Sequence, residues 1–219
     1  EGGSFSTVQA AASIQGESGP NAYSFSLAAG RTDNDRPNSE FERGNFALRF
    51  DHEINERVRI GATLRGYQGL YQSPGDRFTN DPNNTEKERI GLATVFAEFE
   101  PNEDWSLHAI LGFQHRKLVS DNPAPNPPYG SPGNNEHNTT KRTVFDVQAT
   151  WSRLDQHRIT FGTTAERSAT RNTGFGNIDE AQSLIAFFLQ DEITLHDGLY
   201  LTLGLRNDDH DTFGNAATG

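Results

Sequence analysis

Apolar and polar residues alternate along most of this chain with a period of two, the signature of strands whose two faces meet different surroundings. In FALRFDHEI (46–54), Phe46, Leu48, Phe50 and Ile54 share one face and Ala47, Arg49, Asp51 and Glu53 the other. VRIGATLRGY (58–67) sets Val58, Ile60, Ala62 and Leu64 against Arg59, Thr63, Arg65 and Tyr67. WSLHAILGF (105–113) sets Trp105, Leu107, Ala109, Leu111 and Phe113 against Ser106, His108 and Gly112. The scheme recurs in 23–29, 145–151, 158–163, 184–195 and 198–206, and more weakly in 7–15. Segment 91–100 is less regular and is expected to carry a bulge that resets its register. The pattern predicts about ten strands and no helix.

The connections alternate between short (17–21, 54–57, 101–104, 154–157, 195–198) and long (31–44, 71–87, 119–140, 168–182). In an up-and-down sheet this puts every tight turn at one end and every long loop at the other, as in transmembrane β-barrels. A soluble Greek-key sandwich has no reason to keep that asymmetry. Trp105, Phe113, Trp151, Tyr23 and Phe99 fall near predicted strand ends, where interfacial aromatic girdles belong. The expected fold class is therefore all-β: the wall of an antiparallel, up-and-down transmembrane β-barrel. Its apolar faces meet lipid, and Arg49, Asp51, Arg59, Arg65, Asp146, Glu166 and Arg206 point into a wet lumen. A soluble all-β protein with one buried face is the alternative.

Composition supports the barrel. Only 33% of residues are hydrophobic and the mean hydropathy is −0.73, low for a domain with a single interior core, where about 45–50% apolar residues are usual. Disorder fits poorly, because the 15 Phe fall in regular strand-like runs. The longest apolar run is LIAFFL (184–189), far short of a membrane helix. A net charge of −11 argues against nucleic acid as a partner. The absence of cysteine excludes disulfides and thiolate metal sites. The chain opens on Glu1 with no signal peptide, and is expected to be a piece of a longer protein.

The closing stretch FFLQDEITLHDGLYLTLGLRNDDHDTFGNAATG (187–219) carries a strand, a tight turn and a strand ending in Gly-x-Arg, followed by acidic residues and Phe-Gly. It resembles the mid-barrel segment of TonB-dependent outer-membrane receptors. The opening GGSFSTVQAAASIQGESGPNAYSFSLAAGRTDND (2–35) resembles the first barrel strands after the plug of those receptors. The resemblance implies 1–219 as part of a 22-stranded barrel in the cell outer membrane. The plug and the other strands would lie outside it, and so would the segment that contacts TonB. It implies uptake of a small-molecule nutrient, cobalamin or a ferric siderophore, and no enzymatic activity. A slice of barrel with two unpaired edges is not expected to transport anything alone.

Within the family the resemblance is nearest to cobalamin receptors, in which a Thr-Asp-Asn-Asp run takes part in calcium binding. Here TDND occupies 32–35. That implies Asp33 and Asp35 as candidate Ca²⁺ ligands, with Glu40 a further candidate; a solvated turn rich in Asp and Asn is the competing reading. Arg206, Asp208 and Asp209 are candidate substrate contacts at a strand mouth, against a reading as a lumen ion pair and solvated rim. The Pro-rich run 123–133 is a candidate loop tip for ligand contact. Two other classes remain open. One is a general porin. The other is an omptin-like surface protease, in which Asp33/Asp35 and Asp208/His210 would activate water.

Overall fold

The computed structural model describes residues 1–75, 80–123, 133–174 and 176–219. These residues form one twelve-stranded sheet in which every strand pairs with its sequence neighbours and every pair is antiparallel. The strands are β1 (Gly2–Gly3), β2 (Thr7–Ser18), β3 (Asn21–Thr32), β4 (Phe41–Asn55), β5 (Val58–Gly75) and β6 (Asn80–Asn102). They continue as β7 (Trp105–Asn122), β8 (Asn134–Trp151), β9 (His157–Asn172), β10 (Ile178–His196), β11 (Leu199–His210) and β12 (Gly214–Thr218). The ten expected strands are β2–β11; β1 and β12 are short additions at the two edges.

The tight turns follow β2, β4, β6, β8 and β10, all at one end of the sheet. Asp197–Gly198 shows how compact they are: Gly198 takes a φ of +83°, a left-handed conformation that costs glycine little. The connections at the other end are much shorter than expected. Residues 168–172 and 178–182, assigned to a loop by pattern, form ladder pairs from Ser168↔Gln182 to Asn172↔Ile178. Beyond the apolar zone both faces of a strand are wet, so alternation disappears while the backbone ladder continues. The Pro-rich tip falls mostly on 124–132, outside the described residues.

The register sorts side chains as the alternation predicts. One face carries the row Tyr23, Phe50, Ala62, Val95, Leu111, Phe145, Ala165 and Ile185. A second row on that face runs Val58, Phe99, Leu107, Ala149, Phe161, Leu189 and Leu205. The opposite face carries Glu53, Arg59, Glu98, His108, Gln148, Gly162, Phe188 and Arg206 in one row. That row starts two residues from the end of β4 and reaches β11 seven residues past its start. The strands are therefore inclined to the hydrogen-bonding direction, the shear that a barrel wall requires. The expected bulge falls only at the end of 91–100, where the β6–β7 ladder shifts register between Phe99 and Asn102. β5 and β6 stay in register from Val58↔Phe99 to Ser73↔Asn84, and the pattern was blurred by Leu92 and Phe96, apolar residues on the charged face.

There is almost no interior. Among the described residues the only buried apolar side chains are Ala149 and Ala186, while Phe25, Leu48, Phe145, Leu189 and Leu203 are all exposed. An apolar face this continuous needs a non-aqueous neighbour, because burial against lipid replaces burial in a core. At the tight-turn end Trp105 and Trp151 face each other across the β7–β8 ladder with ring centroids 6.4 Å apart. Phe161 meets Trp105 edge-on at 6.2 Å. The girdle expected from Trp105 and Trp151 is thus formed; Phe113 lies instead within β7, at the opposite border of the apolar zone. Asp191 is an acidic exception on the apolar face, and His157 Nδ1 lies 2.7 Å from its Oδ2.

Val147 and Gln148 are adjacent on a central strand but face opposite ways. In the intact protein, Val147→Arg is expected to destabilise the membrane-inserted state by about 2–4 kcal/mol. Gln148→Arg is expected to be tolerated. Urea unfolding from lipid vesicles measures both, and equal costs would contradict the assignment of faces.

Candidate functional site

The charged face is built from arginines held by carboxylates. Arg49 donates from Nε and Nη2 to the two oxygens of Asp51, both at 2.7 Å, an i, i+2 pair made possible because both residues share one face of β4. Arg59 meets its cross-strand partner Glu98 at 2.5 Å. Arg116 reaches diagonally to Glu88 at 2.6 Å, and Arg142 grips Glu166 through two bonds of 2.6 Å. Phe96 lies against Gly61, where a Cβ would collide with its ring, and the Arg49 guanidinium sits 5.0 Å above that ring. Asp146 accepts from Thr164 at 2.6 Å. These groups are part-exposed, so each pair contributes only about 0–1 kcal/mol. Their larger consequence is a wet, charged face whose paired side chains are held in place.

Arg206 and Asp208 are brought together. The guanidinium donates to Asp208 Oδ1 from Nε at 3.0 Å and from Nη2 at 2.8 Å. Asp209 is not part of this group: it pairs with Ile185 and Asn215 in the ladder and lies on the apolar face. Adjacent strand residues cannot share a face, so the Asp208–Asp209 dipeptide does not act as one site. His210 is occupied in the turn after β11. Its Nδ1 accepts from the backbone N–H groups of Thr212 and Phe213 at 3.1 and 3.3 Å, and Asp211 accepts from Ser183 N at 2.7 Å.

Asp33, Asp35 and Glu40 lie in the connection between β3 and β4, all exposed. Asp33 N donates to Phe5 O, and Glu40 accepts from Gln72 Nε2 at 3.3 Å. Among the described residues no group of three or more His, Asp or Glu side chains is placed to hold a metal ion. As placed, these carboxylates do not form the six-to-eight-oxygen cage, or so, that Ca²⁺ takes.

The organising residue of this rim is one the sequence reading passed over. Asn38, with a φ of 54°, directs its Nδ2 at the carbonyls of Ser73, Asp81 and Asn84, 3.0, 2.9 and 3.2 Å away. Asp81 caps the start of β6 through Asn83 N and Asn84 N and accepts from Asn122 at 2.8 Å. One cluster thus ties three consecutive connections together. The signal in the sequence was the density of Asn and Asp in NDPNN (80–84), residues that bond their own backbone and tolerate left-handed φ.

A sheared antiparallel sheet with one apolar face, one ion-paired wet face and its tight turns at a single end is the wall of a membrane β-barrel. The family model for TonB-dependent receptor-like β-barrels matches residues 3–219, and the chain belongs to that family. Among solved structures it is similar to the ferric citrate transporter FecA in its unliganded form (TM-score 0.72, 13% identity), covering 98% of this chain and 38% of FecA. It is also similar to the siderophore receptor PirA from Pseudomonas aeruginosa (TM-score 0.75, 12% identity), covering 96% of this chain and 35% of PirA. A third is the RagAB peptide importer in its open-open state (TM-score 0.68, 17% identity), with 96% of this chain and 32% of that one covered. At such identities the likeness shows the fold. The chain spans well under half the length of each. The comparison with curated proteins returned no match.

Asn38→Gly keeps the left-handed backbone but removes all three side-chain contacts. Loss of those bonds is expected to cost about 1–3 kcal/mol locally, read as faster cleavage after Glu40 by a glutamate-specific protease in the folded protein. Unchanged cleavage would show that Asn38 does not hold the rim.

Proposed function

We propose that residues 1–219 are part of the barrel of a TonB-dependent transport receptor of the outer membrane. The whole receptor takes up a scarce small-molecule nutrient, a ferric siderophore or cobalamin, using energy coupled through TonB. A plug domain and further strands would complete it. One observation carries this reading: the family match runs over 3–219, and the same residues sort into an apolar face and a wet, ion-paired face. The sheet supports it further, since β1 and β12 each leave one edge unpaired, and lipid does not tolerate unpaired backbone groups.

The proteins named above are by their own descriptions a ferric citrate transporter, a siderophore receptor and a peptide importer, and cobalamin is not singled out among them. The inner face favours a polar ligand in either case. Arg206 and Asp208 offer a fixed donor and acceptor to that ligand or to the plug. The protease alternative loses its base, because His210 Nδ1 is committed to the backbone of its own turn. A Ca²⁺ ion at Asp33, Asp35 and Glu40 would require the β3–β4 connection to rearrange. Calcium titration of the intact protein, read as a rise in melting temperature lost in Asp35→Asn, tests that.

Uptake of labelled ferric siderophores and cobalamin by cells carrying the intact protein tests the main reading. Uptake is expected to vanish when TonB is removed or the proton-motive force is collapsed. Passage that persists without either would favour a porin. The Arg206→Gln, Asp208→Asn double variant is expected to weaken ligand binding about tenfold, by loss of charge-assisted bonds, with barrel stability unchanged.

A further inference from the structure

One charged group on the lipid-facing side of the sheet has surroundings that do not account for it. Asp191 lies on the outer face of β10 between Ile159 and Leu203 of the flanking strands, with Leu189 and Ile193 two residues away on its own strand. Leu189 and Leu203 are exposed, so these neighbours face lipid. Among the described residues His157 is its one ion-pair partner, Nδ1 lying 2.7 Å from Asp191 Oδ2. The other carboxylate oxygen, Oδ1, is buried and has no hydrogen-bond partner. Arg158 and Glu192, the next residues along the two strands, stand on the wet face, 3.8 Å from each other. An ionisable group kept at the edge of hydrocarbon is expensive and calls for a partner that serves its charge.

The pair offers acceptors. A carboxylate can only accept, so the Nδ1 that faces it carries the imidazole hydrogen, and the neutral ring leaves Nε2 as a further acceptor. Asp191 Oδ1, His157 Nε2 and one negative charge together suit a cation with several N–H groups. The level in the membrane is defined as well. Asp191 shares a row with Trp105, Trp151, Ile159 and Leu203, the row of the aromatic girdle at the tight-turn end, where headgroups meet acyl chains. The side chains of His157 and Asp191 are 35% and 26% exposed, within reach of that layer. The terminal torsion of an Asp side chain is broad, so a turn about Cβ–Cγ brings Oδ1 toward it.

We propose that Asp191 and His157 form a binding site for the headgroup ammonium of phosphatidylethanolamine, in the leaflet at the tight-turn end of the barrel. The inference rests on the membrane-receptor reading above. The ammonium donates to Asp191 Oδ1 and His157 Nε2, and the acyl chains lie along Leu189, Leu203 and Phe161. Charge alone does not decide the choice. Phosphatidylcholine carries the same positive charge but no N–H, and would leave the buried oxygen unsatisfied, a costly state. Phosphatidylglycerol brings a negative charge toward a carboxylate and has no cation to offer.

The test places the intact receptor in phosphatidylcholine vesicles with equal minor amounts of phosphatidylethanolamine and phosphatidylglycerol, and counts retained lipid by native mass spectrometry. Wild type is expected to retain phosphatidylethanolamine in preference to both others. Asp191→Asn keeps the size of the side chain and removes its charge, and is expected to hold that lipid about tenfold more weakly. Stepwise methylation of the headgroup nitrogen makes the same test on wild type alone: retention is expected to fall as each N–H is lost. Equal retention across the methylated series, an unchanged Asp191→Asn, or a preference for phosphatidylglycerol overturns the proposal. TonB-dependent uptake measured in parallel separates the two readings. If wild type shows none, the receptor reading fails; if uptake is intact and phosphatidylethanolamine is not preferred, only the lipid site fails.

Discussion

Every backbone N–H and C=O that enters a hydrocarbon layer must be hydrogen-bonded within the protein, because no water is there to serve it. The continuous ladder from β2 to β11 meets that requirement without a helix and without a core. Once the ladder is fixed, side chains have only two places to go, and the sequence must write two surfaces into one strand. That accounts for the low hydrophobic fraction: half of each membrane-crossing strand is polar because it faces water inside.

Much of this was legible in the residues. Where the two faces differ in polarity, as at Phe46–Asp51 or Trp105–Phe113, alternation located the strand and its orientation. Where both faces are wet, as at 168–172 and 178–182, alternation carries no information and strands read as loops. Where an apolar residue serves the inner face, as Phe96 does in covering Gly61 and supporting Arg49, the pattern suggested an irregularity that the ladder shows only at the end of the segment.

The site was less legible, for a related reason. Arg206 and Asp208 could be paired from their i, i+2 spacing, but adjacency in sequence drew Asp209 into the same group although the pleat turns it away. Asn38 was missed because its work is done toward carbonyls more than thirty residues distant.

The central claim is that one face of this sheet meets lipid and the other meets water. A chain without cysteine allows single cysteines to be introduced at 144–149 of β8 in the intact protein, each labelled with a fluorophore and exposed to lipid-soluble and water-soluble quenchers. Labels at Phe145, Val147 and Ala149 should respond to the lipid-soluble quencher, and those at Val144, Asp146 and Gln148 to the water-soluble one. A response that does not alternate along the strand, or all six labels open to water, would contradict the account.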